Sequence, residues 1–286
     1  MTRHILTLTC HDRPGLVHAV CGGLLDVGGN ILENAQFTDP DSLTFCMRTV
    51  VDTSVDDPAV VQAAVAERLA DTQANLRVRL ESERPRVMIM VSKFDHCLVD
   101  LLYRWRTGAL AVDLPIIVSN HADCALIAAQ YGIPFLHLPI TKAVDGPTSK
   151  PAQEARIKEL IAEHRVDLVV LARYMQVLSD DLCEHLRGRA INIHHSFLPG
   201  FKGAKPYHQA HARGVKLVGA TAHFVTADLD EGPIIEQDVA RVDHTHTAEQ
   251  LVALGQDTER LALSRAVRFW AEDRILLVGD KTVVFR

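Results

Sequence analysis

Five apolar residues, Val87-Met88-Ile89-Met90-Val91, follow one another without a polar break. A strand with one face in water alternates apolar and polar residues, so an unbroken run of this length belongs to a strand buried on both faces. Such strands occur in parallel sheets covered by helices on each side. The chain beyond Val91 has the matching rhythm. Helical segments at Leu98–Trp105, Ala122–Tyr131 and Ala152–His164 alternate with short apolar runs at Leu114–Val118, Pro134–Leu138, Asp167–Leu171 and Ala190–Ile193. Pro151 suits the first turn of the third helix, where its missing N–H costs nothing. This order predicts an α/β fold with a doubly wound, mostly parallel sheet. Runs at Val218–Val225 and Ile234–Val242, a helix over Ala248–Ala271 and a hairpin over Ile275–Phe285 complete it. In such sheets ligands bind beyond the carboxyl ends of the strands.

Upstream of a polar segment, Glu81-Ser82-Glu83-Arg84-Pro85-Arg86, the pattern is different. Ile5–Cys10 reads as a strand, and Asp12-Arg13-Pro14-Gly15 as a turn opening a helix with Leu16, Val20, Leu24 and Leu25 on one face. Gly28-Gly29-Asn30 ends that helix with residues that tolerate positive φ. Strands around Ile31–Thr38 and Leu43–Val51, a helix over Pro58–Ala70 and a strand at Leu76–Leu80 follow. The order βαββαβ is the ferredoxin-like arrangement. Two domains are expected, residues 1–84 and 85–286.

Composition narrows the function. A formal charge of -6 argues against a broad nucleic-acid surface. No apolar run reaches the ~20 residues of a membrane span, and Met1–Asp12 lacks the apolar core of a signal peptide. The six cysteines are scattered, without a C-x-x-C pair, as reduced thiols of a cytoplasmic protein would be.

The chemistry gathers at two strand exits. The first is Ile191-Asn192-Ile193-His194-His195-Ser196-Phe197-Leu198-Pro199, and the second is His223-Phe224-Val225-Thr226-Ala227-Asp228-Leu229-Asp230-Glu231-Gly232-Pro233. Asn192 and His194 are two apart, hence on one face of a strand. Histidine exchanges a proton near neutrality, an asparagine N–H can meet a developing oxyanion, and an aspartate accepts protons or orients a base. Asn192, His194 and Asp230 therefore suit attack on a carbonyl, although spacing alone does not bring Asp230 to His194. The histidines show no zinc-type spacing; His208 and His211, three apart on a helix, are the nearest approach, and no metal is expected.

Two resemblances add to this. Cys10-His11-Asp12-Arg13-Pro14-Gly15-Leu16-Val17 and the Gly29-Asn30-Ile31 helix exit resemble the ACT domain, a module that commonly binds amino acids. That implies an effector near His11, Asp12 and Asn30, at the loop ahead of the first helix or at an interface between copies, and a homo-oligomer. The two strand-exit motifs, with Leu171-Ala172-Arg173-Tyr174-Met175-Gln176-Val177-Leu178-Ser179, resemble the folate-dependent formyltransferase family, which includes glycinamide ribonucleotide transformylase. The resemblance implies that Asn192, His194 and Asp230 act on the formyl group of 10-formyltetrahydrofolate. It implies substrate contacts from Lys150, Arg173, Met175, Gln176, Val177, Leu178, Ser196, His223, Val225 and Thr226. Lys150 stands where the family transferase has an arginine for the folate carboxylates. No separate cofactor is implied, because the folate is the substrate.

One departure bears on the acceptor. The transferase follows its first strand with a Gly-rich loop that cradles the phosphate of the amine substrate. Here Val91 is followed by Ser92-Lys93-Phe94-Asp95-His96-Cys97, without a glycine and with an added negative charge. Together with the ACT-like unit and the loop Gly200–Ala210, this makes the whole chain resemble a hydrolytic branch of the family. Water then replaces the amine, giving formate for purine synthesis and free tetrahydrofolate. The alternatives are formyl transfer to an amine such as glycinamide ribonucleotide, and a non-catalytic amino-acid or folate sensor. Formate release without an amine separates the first from hydrolysis.

Overall fold

The computed structural model describes residues 1–141, 149–196 and 206–286. Most of the expected loop between Pro139 and Lys150 lies outside the described residues, as do Phe197–Lys205, which hold the end of the first strand-exit motif and the start of the loop after it. The chain divides into two compact units. One is Met1–Glu83 together with Glu272–Arg286, and the other is Arg84–Ala271.

In the first unit, strands β1 (Thr2–His11), β2 (Asn30–Asp39), β3 (Thr44–Thr53) and β4 (Asn75–Leu80) form an antiparallel sheet in the order β2-β3-β1-β4. Helices α1 (Leu16–Asp26) and α2 (Pro58–Arg68) pack on it. Helix α2 starts where the sequence is built to start it: the Asp57 carboxylate accepts from the Ala59 N–H at 2.8 Å, and Pro58 takes the first turn. Leu6, Leu8, Val20, Leu24, Met47, Val61 and Val65 form the core between sheet and helices. The βαββαβ order is as expected.

The C-terminal hairpin differs from expectation. Strands β12 (Ile275–Val278) and β13 (Lys281–Val284) were assigned by the sequence to the second domain, yet they belong to the first unit. Val278 and Phe285 bury Cys46 of β3, with Ala35, Leu276 and Val283 packed around them. Two ion pairs and a hydrogen bond reinforce the seam. Arg274 Nη1 meets Glu33 at 2.9 Å, Arg79 pairs with Asp273, and buried Arg48 donates to the Glu272 carbonyl at 3.0 Å.

The second unit holds a seven-stranded sheet in the order β11-β10-β9-β8-β5-β6-β7. Strands β5 (Arg86–Val91), β6 (Asp113–Ser119), β7 (Phe135–His137), β8 (Leu168–Leu171) and β9 (Ala190–His194) are parallel. Strand β10 (Leu217–Phe224) extends the sheet antiparallel to β9, and β11 (Ile234–Arg241) pairs antiparallel with β10 at the edge. The apolar run of β5 is buried on both faces as predicted, with Met88 and Met90 entering a core shared with Ile157, Leu160 and Leu182. Those last residues belong to α5 (Lys150–Glu163) and α6 (Asp180–His185). Helix α4 (Ala125–Gln130) links β6 to β7. Helix α8 (Ala248–Ala271) packs on β9, β10 and β11 and against α3 (His96–Arg106) and α7 (Pro206–Arg213). No described helix is long and apolar enough to cross a membrane.

Candidate active site

Strand β9 carries Asn192 and His194 out of the sheet on one face, as period-two alternation requires. The antiparallel neighbour β10 brings His223 opposite Asn192 and Thr221 opposite His194. A β-bulge at Ala222/His223 interrupts the pairing with β11, and the chain leaves the sheet through a turn that carries Asp230. Asp230 has φ 59°, the left-handed conformation that a short polar side chain tolerates best. Gly232 makes the turn possible: a Cβ there would stand 1.8 Å from the Phe224 carbonyl oxygen.

These devices bring together residues that are far apart in the chain. Asp230 Oδ2 lies 3.1 Å from His194 Nδ1, and its Oδ1 lies 3.7 Å from His223 Nε2. Asn192 Nδ2 is 3.2 Å from His223 Nε2 and 3.5 Å from Asp230 Oδ1. His223 Nδ1 is 2.8 Å from the Phe224 carbonyl, which can only accept. That contact places a proton on Nδ1, leaves Nε2 to accept, and so turns the Asn192 amide N–H toward it. The contact to Asp230 is at the outer limit of hydrogen bonding. Asn192 therefore keeps one N–H for a ligand.

Burial works to raise the Asp230 carboxyl, but the contacts that lower it, led by the hydrogen bond from His194, outweigh it, and the group sits well below the ordinary carboxylate range. Asp230 is thus an anion at neutral pH and too weak a base to hold a proton taken from water. It fixes the Nδ1–H tautomer of His194. The other nitrogen, His194 Nε2, is buried and meets no hydrogen-bond partner among the described residues. His195 is neutral: burial first, then the charge of Arg173, brings it down to about 4.

Asn192, His194, His223 and Asp230 border an open cleft of about 210 Å³. Arg173, Met175, Gln176, Val177 and Leu178 line it from the segment after β8, and Val225 and Thr226 from the segment after β10. Met175, Val177 and Leu229 are exposed, so the mouth is apolar. Two expected contacts lie elsewhere. Ser196 is buried, and its carbonyl accepts from Thr221 Oγ1 at 3.0 Å, but it does not border the cleft. Lys150 sits at the start of α5 in a separate hollow, 3.7 Å from Glu154. His195, Tyr174 and Leu229 border the cleft without having been expected there. Strict alternation would turn His195 away from His194; β9 ends at His194, and the turn that follows resets the direction.

A second buried cluster lies in the same unit. Glu259, 1% exposed, accepts from the Tyr207 hydroxyl at 2.8 Å, contacts His96 Nε2 at 2.7 Å and faces Arg173 at 3.4 Å. Burial acts to raise its carboxyl, and the His96 bond and Arg173 charge overcome that, so Glu259 is an anion. His96, Cys97 and Glu259 are close enough to ligate a metal ion, but Glu259 is committed to three partners and burial pushes the Cys97 thiol well above its usual range. The set does not suit a metal.

In the first unit the structure separates the expected effector residues. His11 pairs with Thr44 and Asn30 with Asp52, eight residues apart on β3, which is about 27 Å at strand spacing. Asp12 lies beside His11, its N–H bonded to the Leu43 carbonyl at 2.8 Å. One small effector cannot touch both ends within a single copy.

A carboxylate-oriented histidine and an asparagine donor at the end of a doubly wound sheet, in a chain that begins with a ferredoxin-like unit, define a formyl-transferase-type enzyme with an ACT domain. Residues 85–267 match the Formyl transferase family and residues 4–71 the ACT domain family. The chain belongs to the formyltetrahydrofolate deformylase family. It is 48% identical to the formyltetrahydrofolate deformylase of Corynebacterium sp. (strain P-1), over 99% of this chain and 98% of that one. The deformylase of Bacillus subtilis (strain 168) is 43% identical over 98% of this chain and 93% of its own length. A solved formyltetrahydrofolate deformylase from Burkholderia mallei superposes with a TM-score of 0.94 at 50% identity, covering 100% of both chains. A glycinamide ribonucleotide transformylase from Symbiobacterium toebii gives 0.65 at 31% identity, over 71% of this chain and 95% of that one.

Proposed function

We propose that this chain hydrolyses 10-formyltetrahydrofolate to formate and tetrahydrofolate. The observation that carries the reading is the convergence of Asn192, His194 and Asp230 on one cleft with an apolar mouth, in a chain of the deformylase family. The apolar rim suits a flat pterin ring. His194 Nε2 takes a proton from the attacking water, and the water oxygen bonds to the formyl carbon. The Asn192 N–H meets the oxygen that becomes negative. The imidazolium, stabilised by the Asp230 anion, returns its proton to N10 as the C–N10 bond breaks. Asp230 orients the base and stabilises its charged form rather than removing the proton itself.

The test is formate release from 10-formyltetrahydrofolate by purified protein with no amine present. Stoichiometric formate is expected. Turnover that begins only when an amine such as glycinamide ribonucleotide is supplied would favour the transferase reading, and no turnover under either condition the sensor reading. The formate supplied to purine synthesis, a cytoplasmic setting and control by an amino acid complete the proposal. Because Asn30 lies at the far end from His11 and Asp12, the effector site is formed between two copies.

A further inference from the structure

In this sheet the strand order reverses beside β5: β6 and β7 extend one way, β8 and β9 the other. The crevice beyond the carboxyl ends of β5 and β8 is the switch point, where doubly wound sheets take ligands. Here the chain fills that place with its own side chains. Ser92 and Arg173 leave the two strands stitched together, Ser92 N–H to the Arg173 carbonyl at 3.2 Å and Met175 N–H to Ser92 Oγ at 2.9 Å. The Arg173 side chain is 10% exposed; it turns toward Glu259 and lies against the Phe94 ring, Cζ 5.3 Å from the centroid. The site built around Asn192 and His194 lies to one side, on β9 and β10.

Stability does not account for this arrangement. Arg173 has φ 62°, a left-handed conformation that is strained for a non-glycine residue. A buried ion pair such as Arg173–Glu259 contributes little net stability against apolar residues of the same shape. Glycine would be the unstrained choice at position 173. The guanidinium is therefore kept for what it does at the cleft that Arg173 borders. Its Nε and Nη1 hydrogens meet no acceptor among the described residues, because the Glu259 contact lacks hydrogen-bond geometry. His194 borders the same cleft, and its Nε2 meets no partner among the described residues. A donor and an acceptor carried by residues of one cleft suit a water molecule.

We propose that Arg173, anchored by Glu259 and covered by Phe94, occupies the position of a second organic substrate and restricts the formyl acceptor to water. The proposal rests on the hydrolytic reading above and names the residue that sets its acceptor. With Arg173 removed, a small amine nucleophile reaches the formyl carbon. Its nitrogen bonds to that carbon, the C–N10 bond breaks, and the proton lost by the amine ends on N10.

The full-length protein is assayed with 10-formyltetrahydrofolate and hydroxylamine, measuring formate and formohydroxamate together against an enzyme-free control. Wild type gives formate as its product. Arg173→Gly, which fits the left-handed backbone, raises the ratio of formohydroxamate to formate by at least about tenfold, the scale of one altered pocket contact. Phe94→Ala, which leaves the buried charges in place, shifts the ratio the same way by less. An unchanged ratio in both variants, each shown to be folded by circular dichroism, overturns the proposal. So does loss of both products in folded Arg173→Gly, since Arg173 would then serve hydrolysis itself. A wild type that releases no formate refutes the hydrolytic reading, a result distinct from either.

Discussion

Asn192, His194 and Asp230 each have one task, and substitution separates them. Asn192→Ala removes an oxyanion donor and should lower turnover by about 10²–10³-fold, with an unchanged thermal midpoint. Asp230→Asn keeps the shape but loses the charge that holds His194; turnover should fall by about 10²–10⁴-fold. Near-normal turnover of the purified Asp230→Asn protein would show that the carboxylate is not needed. The same variant tests the electrostatics. Asp230 is more acidic folded than unfolded, so its contribution to stability is complete above the unfolded value of about 3.9 and drains away as pH falls toward the folded one. The stability gap between wild type and Asp230→Asn, measured by denaturant unfolding, should be full at pH 7 and shrink below about pH 4. At this scale the sequence was partly legible. Asn192 and His194 share a face because strands alternate. The meeting of Asp230 with His194 was not readable from spacing, because it depends on the β9–β10 register and on one left-handed residue. The Arg173 side chain was unreadable for a similar reason: its partner Glu259 is on a distant helix.

Among the elements, the turn after β10 is the most sensitive. Gly232→Ala would drive a methyl into the Phe224 carbonyl, so the turn must open and carry Asp230 away from His194. A stability loss of about 1–3 kcal/mol is expected. Unlike Asn192→Ala, this variant should lose turnover and thermal midpoint together; a normal midpoint with normal turnover would contradict the account of the turn. Nearly every element was legible, because apolar runs and helical periods are local signals. The hairpin β12–β13 was read as an element but assigned to the wrong unit. Its apolar face satisfies any open sheet, and the pairing that decides, Val278 and Phe285 with Cys46, joins residues from opposite ends of the chain.

For the whole molecule, the βαββαβ order and the parallel rhythm after Pro85 gave both folds from sequence. How copies assemble was not legible, since it depends on surfaces rather than periods. If the amino-acid site is formed between two copies, Asp12→Ala and Asn30→Ala proteins should each lose binding of glycine or methionine in calorimetry. Co-expressed mixed oligomers should recover part of it, because some interfaces then pair two intact halves. No recovery in mixed oligomers would place the site within one copy. The central claim concerns water as the acceptor, and isotope labelling addresses it most directly. Turnover of 10-formyltetrahydrofolate in ¹⁸O-water, followed by mass spectrometry of the formate, should give one labelled oxygen per molecule from the attack that His194 assists. Formate released without label, or folate consumed without formate, would contradict the account.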